Sequence, residues 1–172
     1  IRLIRAYQPD IVITFEPFGW YGHPYHKITS QWVTEAYPLL NDPNAYPQAG
    51  TPCQPKGLFH AVIPFTKFRD MIQDAIEAGY IPEDAFGMEI PEDTQLATEA
   101  QITHSIAIDD FFDTKQDSQK AHRTQFGEDS PFTKIPDEMM RKGWGGEYFI
   151  QVYPEPDAAL RETHSEDLFS HL

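Results

Sequence analysis

Two histidines three residues apart, His23 and His26, lie in the stretch Gly19-Trp20-Tyr21-Gly22-His23-Pro24-Tyr25-His26. Imidazoles at i and i+3 on the first turn of a helix face the same side, a spacing that suits a shared metal ion. A hydrolytic zinc needs three protein ligands and an open position for water. One of two neighbouring histidines can instead steady a developing oxyanion. The bland alternative is a helix start carrying a turn proline and two half-exposed histidines, and spacing alone leaves both open. Tyr21 adds a phenol donor beside the imidazoles, and Gly22 lets backbone approach a ligand closely. Of the two acids flanking the preceding strand, Glu16 and Asp10, the latter reads as a turn cap.

The elements that must hold these residues can be read from the pattern around them. Ile11-Val12-Ile13-Thr14-Phe15 has the β-branched character of a strand buried on both faces, and a helix follows from Lys27 to about Leu40. The histidines therefore sit at the carboxyl end of a strand, the edge where α/β proteins collect ligands. Ile1, Leu3, Ile4 and Tyr7 mark the end of an amphipathic helix. Helix, turn and strand make half of a βαβ unit, so the expectation is a fold entered partway.

Residues 41–55 read as a loop, and Leu58–Ile63 as a second core strand ended by Pro64. Phe65, Phe68, Ile72, Ala75 and Ile76 trace one helix face, with Gly79 as its C-cap. Residues 80–101, acidic and proline-bearing, read as an ordered loop or lid. A strand over 102–108 leads to a helix capped by Asp109 or Asp110 and running to about Phe126. A short helix at Pro136–Lys142 and a strand at Glu147–Val152 complete one domain over 1–153. Residues 154–172 read as an acidic, flexible tail.

Composition narrows the function classes. With 40% hydrophobic and 13% aromatic residues in 172, the chain suits a globular domain. A net charge of −14 excludes nucleic acid or an anionic membrane as an electrostatic partner. No apolar run reaches the ~18–20 residues that cross a bilayer. The single cysteine, Cys53, forms no internal disulfide and fits a reducing, cytoplasmic setting.

The segment from Pro9-Asp10 through Gly22-His23-Pro24-Tyr25-His26 resembles the second signature of the LmbE/PIG-L deacetylases, a Pro-Asp strand followed by Y-G-H-P-D-H. Lys56–Pro64 resembles the family's next strand. Ile108–Lys115 with Ala121-His122-Arg123-Thr124-Gln125 resembles its late helix, and Glu147-Tyr148-Phe149 its closing strand, all in the right order. The resemblance implies an α/β, three-layer, Rossmann-like fold whose N-terminal strands are missing. It also implies a zinc-dependent enzyme that removes acetyl from an N-acetylglucosamine-type small molecule, with ferrous iron also suited to His/Asp ligands. On that resemblance His26 is a metal ligand, and Tyr21 polarises the carbonyl. His23 stabilises the tetrahedral intermediate and protonates the leaving amine.

Two departures qualify the likeness. Tyr25 stands where the family has aspartate, which removes a carboxylate that would favour a charged imidazole nearby. The family's first motif, H-P-D-D-E, supplies the other metal ligands and the general base, and nothing in residues 1–172 matches it. The chain would keep one ligand of three, so the expectation is a fragment inactive by itself. The rivals are a non-catalytic sugar-binding module and an amidase acting on a thiol conjugate. His60, His122, His164 and His171 show no ligand spacing. Lys115, Arg123 and Gln125 fall on one expected helix and read as a solvated face.

Overall fold

The computed structural model describes residues 1–86, 92–170 and 172. Four strands, β1 (Ile11–Phe15), β2 (Gly57–Val62), β3 (His104–Ala107) and β4 (Gly146–Tyr153), form a mixed sheet in the order β1-β2-β4-β3. β1 and β2 run parallel, with Ile11 opposite Gly57 and Phe15 opposite Ala61, while β4 is antiparallel to β2. A parallel pair requires a crossover, which the chain makes through α2 (Pro24–Ala36). The expected mixed α/β, Rossmann-like architecture is what the chain adopts.

Residues divide into two compact units, interleaved in sequence. The first comprises Ile1–Val62, Ala100–Ser105 and Tyr148–Leu172. Its core joins Tyr37, Leu40 and Leu58 to Ile4, Val12, Val33 and Val152. Arg5, on α1 (Arg2–Tyr7), is 2% exposed. Its guanidinium donates to the carbonyls of Leu39, Leu40, Asp42 and Tyr46 at 2.8–3.1 Å. Those bonds give the loop after Leu40 its shape, and nothing in the loop's own composition signals them.

Residues 154–172, expected as a frayed tail, belong to this first unit. Asp157 accepts from the Leu160 amide at 2.8 Å and caps α7 (Ala158–Thr163), whose Leu160 is buried. Ser165 then exchanges backbone hydrogen bonds with Thr103 and Ser105. The acidic composition hid one well-placed apolar residue and one N-cap, which are enough to dock a short helix.

The second unit comprises Ile63–Glu99 and Ile106–Glu147. Helices α3 (Phe65–Glu77) and α6 (Asp137–Trp144) enclose Met71, Ala75, Ile81, Phe112, Ile135 and Met140. Gly143 permits their close approach, because a Cβ there would lie 2.7 Å from Met71 Cβ and Sδ. Within the expected loop or lid at 80–101, residues 92–99 form a helix, α4 (Glu92–Glu99); 87–91 lie outside the described residues. Glu92 and Asp93 favour that helix start, and the Glu99 carboxylate anchors its end by accepting from Thr66 N and Oγ1. Neither Asp109 nor Asp110 caps the following helix. A 3₁₀ turn intervenes, and α5 (Phe112–Ala121) stops five residues before Phe126. Arg123 and Gln125 therefore leave the helix that carries Lys115.

Candidate active site

β1 delivers the chain to Glu16, which is 2% exposed. Its carboxylate accepts from the Phe18 amide with one oxygen and from the Trp20 amide, at 2.5 Å, with the other. The loop folds tightly over this anchor, with Gly19, Trp20 and Gly22 at φ 74°, 64° and 85°. Only glycine fits at position 19, where a Cβ would lie 2.9 Å from both His26 Cβ and Lys27 N. Trp20 adopts the left-handed conformation without that freedom, which costs of order 1 kcal/mol or more. Glu16 and an indole hydrogen bond to the Ala61 carbonyl, 2.9 Å, hold it there.

α2 starts at His23, whose Nδ1 accepts from the Tyr25 amide at 3.3 Å. Pro24 occupies the first helical position, where a missing N–H costs nothing. The helix start then puts His23 and His26 on one side, with ring centroids 4.7 Å apart. Tyr21 lies 5.8 Å from His23 and 5.3 Å from His26. All three site residues anticipated from the sequence are therefore brought together. His26 stacks on Phe15 at 3.9 Å and meets the edge of Trp20. Phe15 and Trp20 were not anticipated as part of the site, and Glu16 was expected only as an acid flanking the strand, with no role given. A legible signal existed for Glu16, an acid directly after a core strand and three residues before a glycine.

The hydrogen bonds fix opposite tautomers. A carbonyl can only accept, so His26 Nδ1, 3.3 Å from the Gly19 oxygen, carries the hydrogen and Nε2 keeps its lone pair. His23 Nδ1 accepts from an amide, so its hydrogen is on Nε2. One ring presents a lone pair and its neighbour a donor. Burial pushes His26 below the usual histidine range, and the nearby His23 acts the same way. The Gly19 carbonyl and Glu16 oppose them. A neutral ring is what metal ligation requires.

Zinc or ferrous iron is matched here by one nitrogen only. Among the described residues no group of three His, Cys, Asp or Glu side chains is placed to hold a metal ion. The residues present fit a single ligand and do not form a complete site.

The remaining candidates have structural partners. His60 Nε2 lies 3.1 Å from Thr34 Oγ1, and burial lowers its pKa to about 4. His122 Nδ1 lies 3.0 Å from the Ser118 carbonyl, and His164 Nδ1 3.4 Å from Ser105 Oγ; His171 is outside the described residues. Asp10 pairs with Lys56 at 3.1 Å, and the Cys53 thiol donates to the Ile4 carbonyl. Lys115, expected on a solvated face, is largely buried in the second unit. Its ammonium donates to Glu147 and to the carbonyls of Trp144 and Gly146 at 3.0–3.2 Å.

No family model matches the chain. Among curated proteins it is 25% identical over 173 residues to 1D-myo-inositol 2-acetamido-2-deoxy-alpha-D-glucopyranoside deacetylase 1 of Frankia alni, covering 100% of this chain and 60% of that protein. It is 28% identical over 158 residues to the deacetylase 2 of the same description from Frankia casuarinae, covering 87% and 48%. The mycothiol S-conjugate amidase of Streptomyces coelicolor is 24% identical over 181 residues, covering 100% and 58%. The chain spans about half the length of the curated relatives it matches.

Proposed function

We propose, for this relative of the LmbE/PIG-L deacetylases, the role of a donor-and-ligand edge in an amide hydrolase that removes acetyl from an N-acetylglucosamine-type sugar. The observation that carries the reading is the tautomer pair: a bare Nε2 on His26 beside an Nε2–H on His23, with the Tyr21 phenol next to both. Zinc or ferrous iron at His26 Nε2, completed by ligands outside residues 1–172, would supply the activated water.

The chain's own residues account for the rest of the chemistry. The Tyr21 hydroxyl and the His23 Nε2–H are donors for the carbonyl oxygen as it gains negative charge. In its imidazolium form His23 passes the Nε2 proton to the nitrogen, so the C–N bond breaks to a neutral amine. Taking up that extra proton means protonating Nδ1, which now accepts from the Tyr25 amide. The cap of α2 and the acid role therefore compete for one nitrogen. The single cysteine supports a reducing, cytoplasmic setting, and no helix among the described residues is long and apolar enough to cross a membrane.

A second reading, hydrolysis of a thiol-conjugate amide, is favoured by the S-conjugate amidase among the relatives. Assaying the full-length, metal-loaded protein on N-acetylglucosaminyl-inositol and on a mycothiol conjugate separates the two. On the favoured substrate His23→Ala should cost about 10²–10⁴ in kcat, and His26→Ala should abolish turnover together with metal binding. Residues 1–172 alone should be inactive. Full activity of both variants would overturn the roles given to His23 and His26, whereas no turnover of either substrate by the unsubstituted full-length protein would leave a sugar-binding module as the surviving reading.

A further inference from the structure

Glu16 is the most deeply buried acid of the loop, yet no chemistry assigned so far uses it. Its two carboxylate oxygens take the Phe18 and Trp20 amides. The second of these amides matters most. The Trp20 N–H and the Gly19 C=O belong to one peptide unit, and that unit is trans. In a trans peptide the N–H and C=O point in opposite directions within one plane. Fixing the N–H on Glu16 therefore aims the carbonyl away from Glu16, and the group it meets is His26 Nδ1 at 3.3 Å.

We propose that Glu16 is a positioning residue: through the Gly19–Trp20 peptide plane it holds the hydrogen of His26 on Nδ1 and keeps Nε2 bare and aimed. The route is carboxylate, amide N–H, carbonyl, imidazole, with no direct bond between the two side chains. Three further features leave the plane little room to turn. The Gly19 amide donates to the Glu16 carbonyl at 2.9 Å, and the Gly19 oxygen also accepts from the Tyr21 amide at 2.9 Å. The Trp20 indole is tied to Ala61 at 2.9 Å. A carboxylate suits this role and an amide does not. Two converging N–H groups need two acceptor oxygens, and a carboxamide offers one, its NH₂ facing the other donor. A negative charge also strengthens both bonds. The functional meaning rests on reading His26 as a metal ligand, whereas the positioning itself does not.

The test is Glu16→Gln, read by ¹⁵N NMR of the imidazole nitrogens in the metal-free protein and by zinc titration of the full-length protein. The unsubstituted protein should show His26 protonated on Nδ1 alone, and Glu16→Gln should give a mixture of tautomers. His60, whose partner Thr34 is untouched, serves as the internal control. Zinc affinity should fall about 10–100-fold, the usual cost of losing an outer partner of a ligating histidine. A hydrogen on Nε2 of the unsubstituted His26, or an unchanged tautomer in Glu16→Gln, would overturn the proposal. A changed tautomer with unchanged zinc affinity supports the positioning and removes the ligand reading instead. If Glu16→Gln does not fold, amide exchange in the unsubstituted protein decides. Protected Phe18 and Trp20 amides support the proposal, and exchange as fast as in an open loop overturns it.

Discussion

The β1–α2 loop and the Lys115 clamp each draw a titratable nitrogen out of water, and they use its hydrogen-bonding capacity in opposite ways. Lys115 has three N–H donors and three acceptors, Glu147 and the carbonyls of Trp144 and Gly146. Burial lowers its pKa, while the charge and hydrogen bond of Glu147 pull it back up. Nothing is left over for a ligand. His26 is held on one nitrogen, and among the described residues Nε2 has no hydrogen-bond partner. Burial alone therefore does not mark a functional group. A group fixed on one side and left open on the other does.

The strongest way to break that contrast is to remove the clamp. Lys115→Met keeps the aliphatic stem but strands two carbonyls and forfeits the ammonium over the Trp144 ring, 5.5 Å away. At ~1–3 kcal/mol for each unsatisfied buried group, unfolding in denaturant should show a loss of about 3 kcal/mol. His26→Ala, by contrast, should cost far less stability than it costs in activity. If Lys115→Met lost under ~0.5 kcal/mol, the clamp would be ornamental and the two regions would no longer differ in kind.

A pH titration sharpens the same distinction on His60. Its folded pKa of about 4 lies below the ordinary 6.5, because burial disfavours the charged ring. Between those values the unfolded chain binds more protons, so stability rises with pH. His60 thus contributes fully above about pH 6.5, and that contribution is lost as pH falls toward about 4. The span amounts to about 2 kcal/mol after allowing for water reaching a ring that is not wholly enclosed. Thermal scans across this range should show that slope in the unsubstituted protein and a shallower one in His60→Leu. Identical slopes would mean that His60 is not the neutral, Thr34-bonded structural group described above.

How much of this was legible depended on the range of the interaction involved. β1 as a strand follows from its β-branched run, although Ile13 is 47% exposed where burial on both faces was expected, and α3 follows from an i, i+3, i+4 apolar face, a pattern set by neighbours in sequence. Tyr21, His23 and His26 were legible because they fall within six residues of one another. Arg5 was not, since its carbonyl partners lie 34–41 residues away. The burial of Lys115 was hidden for the same reason, with carbonyl partners 29 and 31 residues on. Glu16 is different: its partners are two and four residues away. What concealed it was the need for a trans peptide plane to carry its effect to His26, a geometric step with no residue type of its own.

The smallest expected effect bears on the open side of the site. Tyr25 is 75% exposed, its ring 5.5 Å from His23, and the first turn of α2 contains no acid. Tyr25→Asp would place a carboxylate near the helix N-terminus, worth ~0.3–1 kcal/mol against the helix dipole, with little change in helix propensity. Stability should therefore rise by about 0.5 kcal/mol. The same carboxylate would favour the imidazolium of His23 and so help the acid role against the Tyr25 amide that competes for Nδ1. Turnover of the full-length enzyme should rise severalfold. A gain in stability with a loss of turnover would show that the tyrosine ring itself contacts substrate. The open side of the site would then be a binding wall as well as a proton donor.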